Sequence, residues 1–267
     1  MIRLSPPFLL VAVLPAAAAF SGEAAAEDFM LELVNDVRAD AGLTPLVADL
    51  ELVQAARQHS WEMITLDYFA HQSPVPENAT LPLRVANAGS TVVWVGENIG
   101  AEYRSAAYNY KSLTLGAFRG LMNSPPHRAN ILDPDYNTVG IGIVYSEAAG
   151  MRGIHVTQVF AARCFELERL RVFAAEGGYR LVVAGWVLRE GYAGLFVNGA
   201  ESAFHFLDIQ PDGSFRLEVP FEPDSGVYLC KLGLGPEEYG SKDIYNEFRL
   251  DTSRPADEAL IIGEHPY

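Results

Sequence analysis

The chain has 267 residues, enough for one large domain or two modest ones. Apolar residues make up 49% and aromatics 11%, which supplies a packed core and excludes a disordered chain. The 19 basic and 34 acidic residues give a net charge of −15. That balance argues against nucleic acid and anionic membrane surfaces as partners, since both demand a basic footprint.

The N-terminus reads as an export address. Arg3 precedes an apolar run over residues 8–20 (FLLVAVLPAAAAF), and small residues follow as far as Ala26. This is the pattern of a signal peptide over residues 1–26, cut after Ala19 or Ala26. The run is too short for a transmembrane helix, and no later segment is apolar enough to span a bilayer. The expectation is an exported protein, secreted or periplasmic, with no membrane span.

Residues 27–45 carry helical periodicity through Phe29, Met30, Leu33, Val34 and Val37, with Gly42 as the C-terminal cap. Asp49 is a good N-cap for a second helix, whose stripe is Leu52, Ala55, Ala56, His59, Met63 and Leu66. Residues 71–82 read as loop. A short helix is expected over 83–88, stopped by Gly89, and residues 91–95 are β-rich. Residues 111–123 read as a third main helix with Leu115, Phe118 and Met122 on one face, stopped by Pro125-Pro126. Alternating patterns over 139–145 and 154–160 predict strands.

Beyond Cys164 the texture is β throughout. Runs over 179–186, 193–197, 202–209, 214–219 and 226–232 are separated by turn signals such as Asn198-Gly199 and Asp212-Gly213. They predict a small antiparallel sandwich over 164–252, with a tail over 253–267. The runs VAGWV (183–187) and PDGSF (211–215) give it a resemblance to bacterial Ig-like modules. Trp186, Tyr192 and Phe204 are expected in its core, with sugar stacking as the rival reading. Export slightly favours a bridge between Cys164 and Cys230, worth about 4 kcal/mol in the chain-entropy model. The alternative is two separate buried thiols.

The polar residues of interest sit in YFAH (68–71), GENIG (96–100), SPPHRANIL (124–132) and VGIG (139–142). Together with ELVNDVRADAGLTPL (32–46), AARQHSWEM (55–63), Arg84 and TQVF (157–160), they resemble the bacterial branch of the CAP (SCP/PR-1-like) superfamily. The resemblance covers residues 28–161 and implies an α-β-α sandwich over 27–163. The whole chain is thus expected to be α+β, a CAP domain followed by an all-β sandwich. The resemblance also implies a cleft built by His71, Glu97 and His127. The second glutamate that many members carry on the helix before the second histidine has no counterpart, because residues 108–123 contain no acid.

Chemically, two imidazoles and a carboxylate suit a divalent metal such as zinc, with His71 and His127 as candidate ligands. Alternatively, Glu97 orients one imidazole as a general base, with Ser73 and Ser124 as the nearest hydroxyls in sequence. No G-x-S-x-G elbow or HExxH is present. His59 is expected as a satisfied core histidine and His155 as structural. Asn130 is expected to bond backbone, Arg84 and Arg128 to pair with acids, and the glycines of the motifs to permit turns or close strand packing. The reading leans away from an enzyme. It expects an extracellular binding protein for a lipid, glycan or protein partner, with a metal-assisted or His-base hydrolase of peptidase type as the alternative.

Overall fold

The computed structural model describes residues 16–105, 109–148, 150–199, 202–222, 225–238 and 242–262. The first half of the expected leader lies outside these residues. A four-stranded sheet is built from β1 (Val47–Ala48), β2 (Val95–Ser105), β3 (Thr138–Ala148) and β4 (Met151–Ala161), in the order β1-β3-β4-β2. β1 runs parallel to β3, and the other pairs are antiparallel.

Alternation along β3 decides what covers each face. Val139, Ile141 and Ile143 share a core with Met30 and Val34 of α1 (Ala16–Asp40) and with Leu113, Ala117 and Leu121 of α4 (Tyr110–Asn123). Gly140 and Gly142 face the other way. A Cβ on either would run into the backbone of α2 (Leu50–Thr65), so the glycines let that helix lie directly on the strand. Leu52, Ala55 and Ala56 of α2 then pack with Val85, Val159 and Ala161. The result is the expected α-β-α sandwich.

Local signals explain the ends of the elements. The Asp49 side chain accepts from the amides of Glu51 and Leu52, so it caps α2 as expected. Gly42, with φ of +72°, ends the turn after α1. Three expectations need correction. Leu66 lies past the end of α2 and is exposed. The buried face of α4 is Leu113, Thr114, Ala117, Phe118 and Leu121, with Leu115 and Met122 only half-buried. Thr114 tolerates burial because its hydroxyl donates to the Tyr110 carbonyl. Pro125 does follow the end of α4, but it also opens a new helix, α5 (Pro125–Ile131), since its missing N–H is no loss in a first turn. A short helix α3 (Leu81–Asn87) precedes β2.

The remaining strands are β5 (Phe165–Ala175), β6 (Gly178–Val187), β7 (Tyr192–Asn198), β8 (Ala203–Phe206), β9 (Ser214–Phe221), β10 (Val227–Gly235), β11 (Asp243–Asp251) and β12 (Leu260–Ile261). They form a three-stranded sheet, β5-β6-β9, and a five-stranded one, β12-β11-β10-β7-β8. Leu181, Val183 and Phe215 of the first sheet share one core with Leu195, Leu232 and Phe248 of the second. β12 sits within the segment expected to be a tail. Phe204 packs on Phe196, whereas Trp186 and Tyr192 are exposed rather than core.

The expected Cys164–Cys230 bridge is not formed. Both are free thiols, each enclosed by core side chains, and burial pushes Cys230 up to about 12. The two halves of the chain meet where Val93 N–H donates to the Tyr245 carbonyl and Trp94 stacks on Tyr245.

Candidate functional site

The site lies where the loop after α2 crosses the start of β2. Glu97, on β2, has a side chain only 4% exposed, yet both its oxygens are engaged. Oε1 meets His71 Nδ1 at 2.8 Å, and Oε2 accepts from Arg84 Nη2 at 2.5 Å. Arg84 comes from α3 with its side chain 1% exposed, and its other Nη donates to the Asn78 carbonyl at 2.9 Å. A buried guanidinium therefore holds a buried carboxylate, which in turn holds an imidazole that is 57% exposed. This arrangement fixes His71. In the neutral ring, a proton on Nδ1 pointing at Glu97 leaves Nε2 as the lone-pair nitrogen.

Charge follows the geometry. Burial drives the Glu97 carboxyl up, but the His71 hydrogen bond and the Arg84 charge outweigh it and hold the group below its usual value. The hydrogen bond to Glu97 raises the His71 imidazole. His127 is shifted the other way, by burial and by the charge of His71.

The start of α5, which carries His127, is tied to β2 by an amide network. Asn98, fully buried next to Glu97, donates to the His127 carbonyl and to Gln158 Oε1, both at 3.0 Å. Asn130 donates to the Glu97 carbonyl at 3.2 Å and to Asn98 Oδ1 at 2.9 Å. Asn130 thus ties α5 to β2, bonding across the fold as well as to backbone. His71 thus bonds the Glu97 side chain, while the start of α5 is held to β2 through the His127 carbonyl and Asn130; Arg128 is exposed at the surface.

Two residues beside the cluster depart from the sequence reading, one missed and one only partly as expected. Glu62 of α2 is buried and takes hydrogen bonds from Ser73 (2.7 Å), Gln58 (2.9 Å) and Asn78. These donors outweigh the effect of burial and hold its carboxyl low. A second carboxylate does exist, but on α2 rather than on the helix before His127. The only signal for it was its spacing of three from His59. His59 is fully buried, and its Nδ1 meets the Tyr68 hydroxyl at 3.3 Å. It is not the fully satisfied histidine that was expected. Its buried Nε2 has no hydrogen-bond partner among the described residues and stands 3.9 Å from Glu97 Oε1. Burial and the Arg84 charge push this ring down to about 4, so it is neutral at neutral pH.

The hydroxyl of Ser73 is occupied, donating to Glu62 and accepting from Val75 N–H at 3.1 Å. Ser124 is half-buried at the junction of α4 and α5. No group of three or more His, Cys, Asp or Glu side chains among the described residues is arranged to hold a metal. Glu97 has no oxygen to spare, so a divalent ion here would have two imidazoles as its protein ligands. Its other positions would fall to water or to a bound ligand.

Residues 31–160 match the cysteine-rich secretory protein family, CAP, which leaves β5 to β12 outside the match. Among curated proteins, the chain is 33% identical over 126 residues to the uncharacterized protein YkwD of Bacillus subtilis, covering 47% of this chain and 45% of that one. It is 32% identical over 117 residues to the uncharacterized membrane protein YlbC of the same organism, covering 44% and 31%. The chain therefore spans less than half the length of either relative. An extracellular protein containing an SCP domain from Bacillus anthracis is 26% identical, with a TM-score of 0.48, over 57% of this chain and 45% of that one. No helix among the described residues is long and apolar enough to cross a membrane. Residues 31–160 of this chain belong to the cysteine-rich secretory protein (CAP) family.

Proposed function

We propose that this is an exported bacterial protein, secreted or periplasmic, whose CAP domain (27–163) is a binding module rather than a catalyst. Residues 1–26 act as the signal peptide, and the β-sandwich (164–252) is a second unit beside it. The His71–His127 cleft grips a polar group of an extracellular lipid, glycan or protein partner. The observation that carries this reading is the Arg84–Glu97–His71 chain, which presents one oriented imidazole nitrogen on a rigid, buried base. Ion pairing beneath the surface costs no ordering when a ligand arrives. The same imidazole has the carboxylate support typical of metal-bound histidines, so a divalent ion such as zinc is a natural co-ligand.

The hydrolase reading draws on the same dyad, with His71 as general base. It needs water as the nucleophile, because Ser73 is committed to Glu62. Calorimetric titration of the mature protein with zinc, beside the double variant His71→Ala/His127→Ala, tests the cleft. Saturable binding lost in the variant supports it. Equal binding in both proteins places the ion elsewhere and removes the cleft from the account. Turnover of a peptide or ester library that disappears in His71→Ala would favour the hydrolase over the binding module.

A further inference from the structure

A second concave site lies on the α2 face of the sheet, where Asp67 and Phe69 of the loop that carries His71 meet β2 and β4. It is an open pocket of about 410 Å³ lined by Met63, Ile64, Asp67, Phe69, Tyr103 and His155, among others. That volume suits a small ligand. Its floor is His155 of β4, only 6% exposed. Two rings stand against that floor and remain open to solvent. The Phe69 ring lies 5.9 Å from His155 and is 53% exposed; the Tyr103 ring lies 5.7 Å from it, edge to face, and is 50% exposed.

The seating of Tyr103 is built into the sequence. Gly153 pairs with Tyr103 across the β2–β4 ladder, and a Cβ there would run into the Tyr103 ring. The glycine lets the phenol lie across the strand, where its hydroxyl meets His155 Nε2 at 3.2 Å. Asp67 closes the rim. It is the one described non-glycine residue in the left-handed region, with φ of +53°. Its carboxylate is near enough to Tyr103 that, after burial, it helps to raise the phenol.

We propose that this pocket binds an organic cation, an alkylated or quaternary ammonium group, seated between Phe69 and Tyr103 with Asp67 as its counter-charge. The rings offer negative π-faces, the combination that selects ammonium groups bearing methyls or methylenes. Ile64, half-buried on the pocket wall, offers the apolar surface that such a substituent needs. Burial lowers His155, so the floor carries no positive charge at neutral pH to repel the guest. The overall charge of −15 favours the approach of cations. This inference is independent of the His71–His127 cleft.

The source is either a free small amine or the choline headgroup of a lipid. Titration of the mature protein with choline, with its neutral isostere 3,3-dimethylbutanol, and with phosphatidylcholine vesicles tests the site. Choline is expected to bind saturably and the isostere roughly tenfold more weakly, since only the charge differs. Asp67→Asn and Tyr103→Ala each weaken choline by roughly tenfold, while Tyr103→Phe keeps it, because the ring and not the hydroxyl makes the wall. Asp67 is exposed, so Asp67→Asn leaves the fold intact even if Tyr103→Ala does not. Vesicle binding lost in Asp67→Asn identifies the lipid source, and binding of free choline alone identifies the small amine. Equal affinity for choline and its isostere, or no saturable choline binding, overturns the proposal.

Discussion

Replacing Glu97 by Gln keeps the side-chain volume and removes one charge. Glu97 is 4% exposed and its partner Arg84 1%, so the change strands a guanidinium in the interior. Breaking a buried pair from one side costs about 3–5 kcal/mol. For a chain of this size that corresponds to a fall in Tm of roughly 10 °C. His71 responds as well. Its pKa is raised chiefly by the hydrogen bond to Glu97, so in Glu97→Gln it moves back down. Denaturant unfolding measures the first effect and NMR titration of the His71 ring the second. The double variant Arg84→Met/Glu97→Gln should recover most of the stability, since neither position then leaves a lone charge buried. A Glu97→Gln protein within about 1 kcal/mol of the wild type, with His71 titrating as before, would refute the arrangement.

Acid should weaken the fold in two steps. His59 has its pKa lowered to about 4, so between the unfolded value of 6.5 and 4 only the unfolded chain takes up this proton. Stability therefore falls as pH drops through that window, by about 3 kcal/mol in all at 1.4 kcal/mol per unit. Glu62 and Glu97, held below 4.5, contribute stability that is present above their unfolded values and lost as pH falls through their folded ones. Thermal melts from pH 7 to pH 3 report both, and His59→Gln should flatten the first. Gly142→Val puts a branched side chain into the backbone of α2 and should cost about 3 kcal/mol or prevent folding, read by denaturant unfolding. A protein starting at Glu27 loses the buried Ala26 and the Glu23 hydrogen bond to Tyr145 N–H. It should melt below one starting at Phe20, and equal melting would show that those contacts contribute nothing.

Signals confined to one stretch of chain were legible. Asp49 as a cap, Gly42 after α1 and the alternation of β3 each follow from local backbone chemistry. The contact between His71 and Glu97 was legible only through motif order, since the two come from a loop and a strand. Glu62 was not, because a charged residue on a helix reads as solvated until Ser73 and Asn78 fold over it from a distant loop. β5 was missed because its outward residues, Glu166 and Glu168 among them, dilute an apolar set of half-buried leucines. The face of α4 shifted because a hydrophobic stripe cannot count Thr114, which hides its hydroxyl on its own backbone. The cysteine bridge failed as an expectation because export favours pairing in general and says nothing about where two sulfurs sit.

Glu97 holds His71 through Nδ1 and leaves Nε2 as its free nitrogen. Long-range nitrogen–proton NMR of the imidazole rings, followed through a pH titration and a zinc addition, tests it most directly. Neutral His71 is expected to carry its proton on Nδ1, to titrate above 6.5, and to shift at Nε2 when zinc is added. A neutral His71 protonated on Nε2, or one titrating below 6.5, would contradict it.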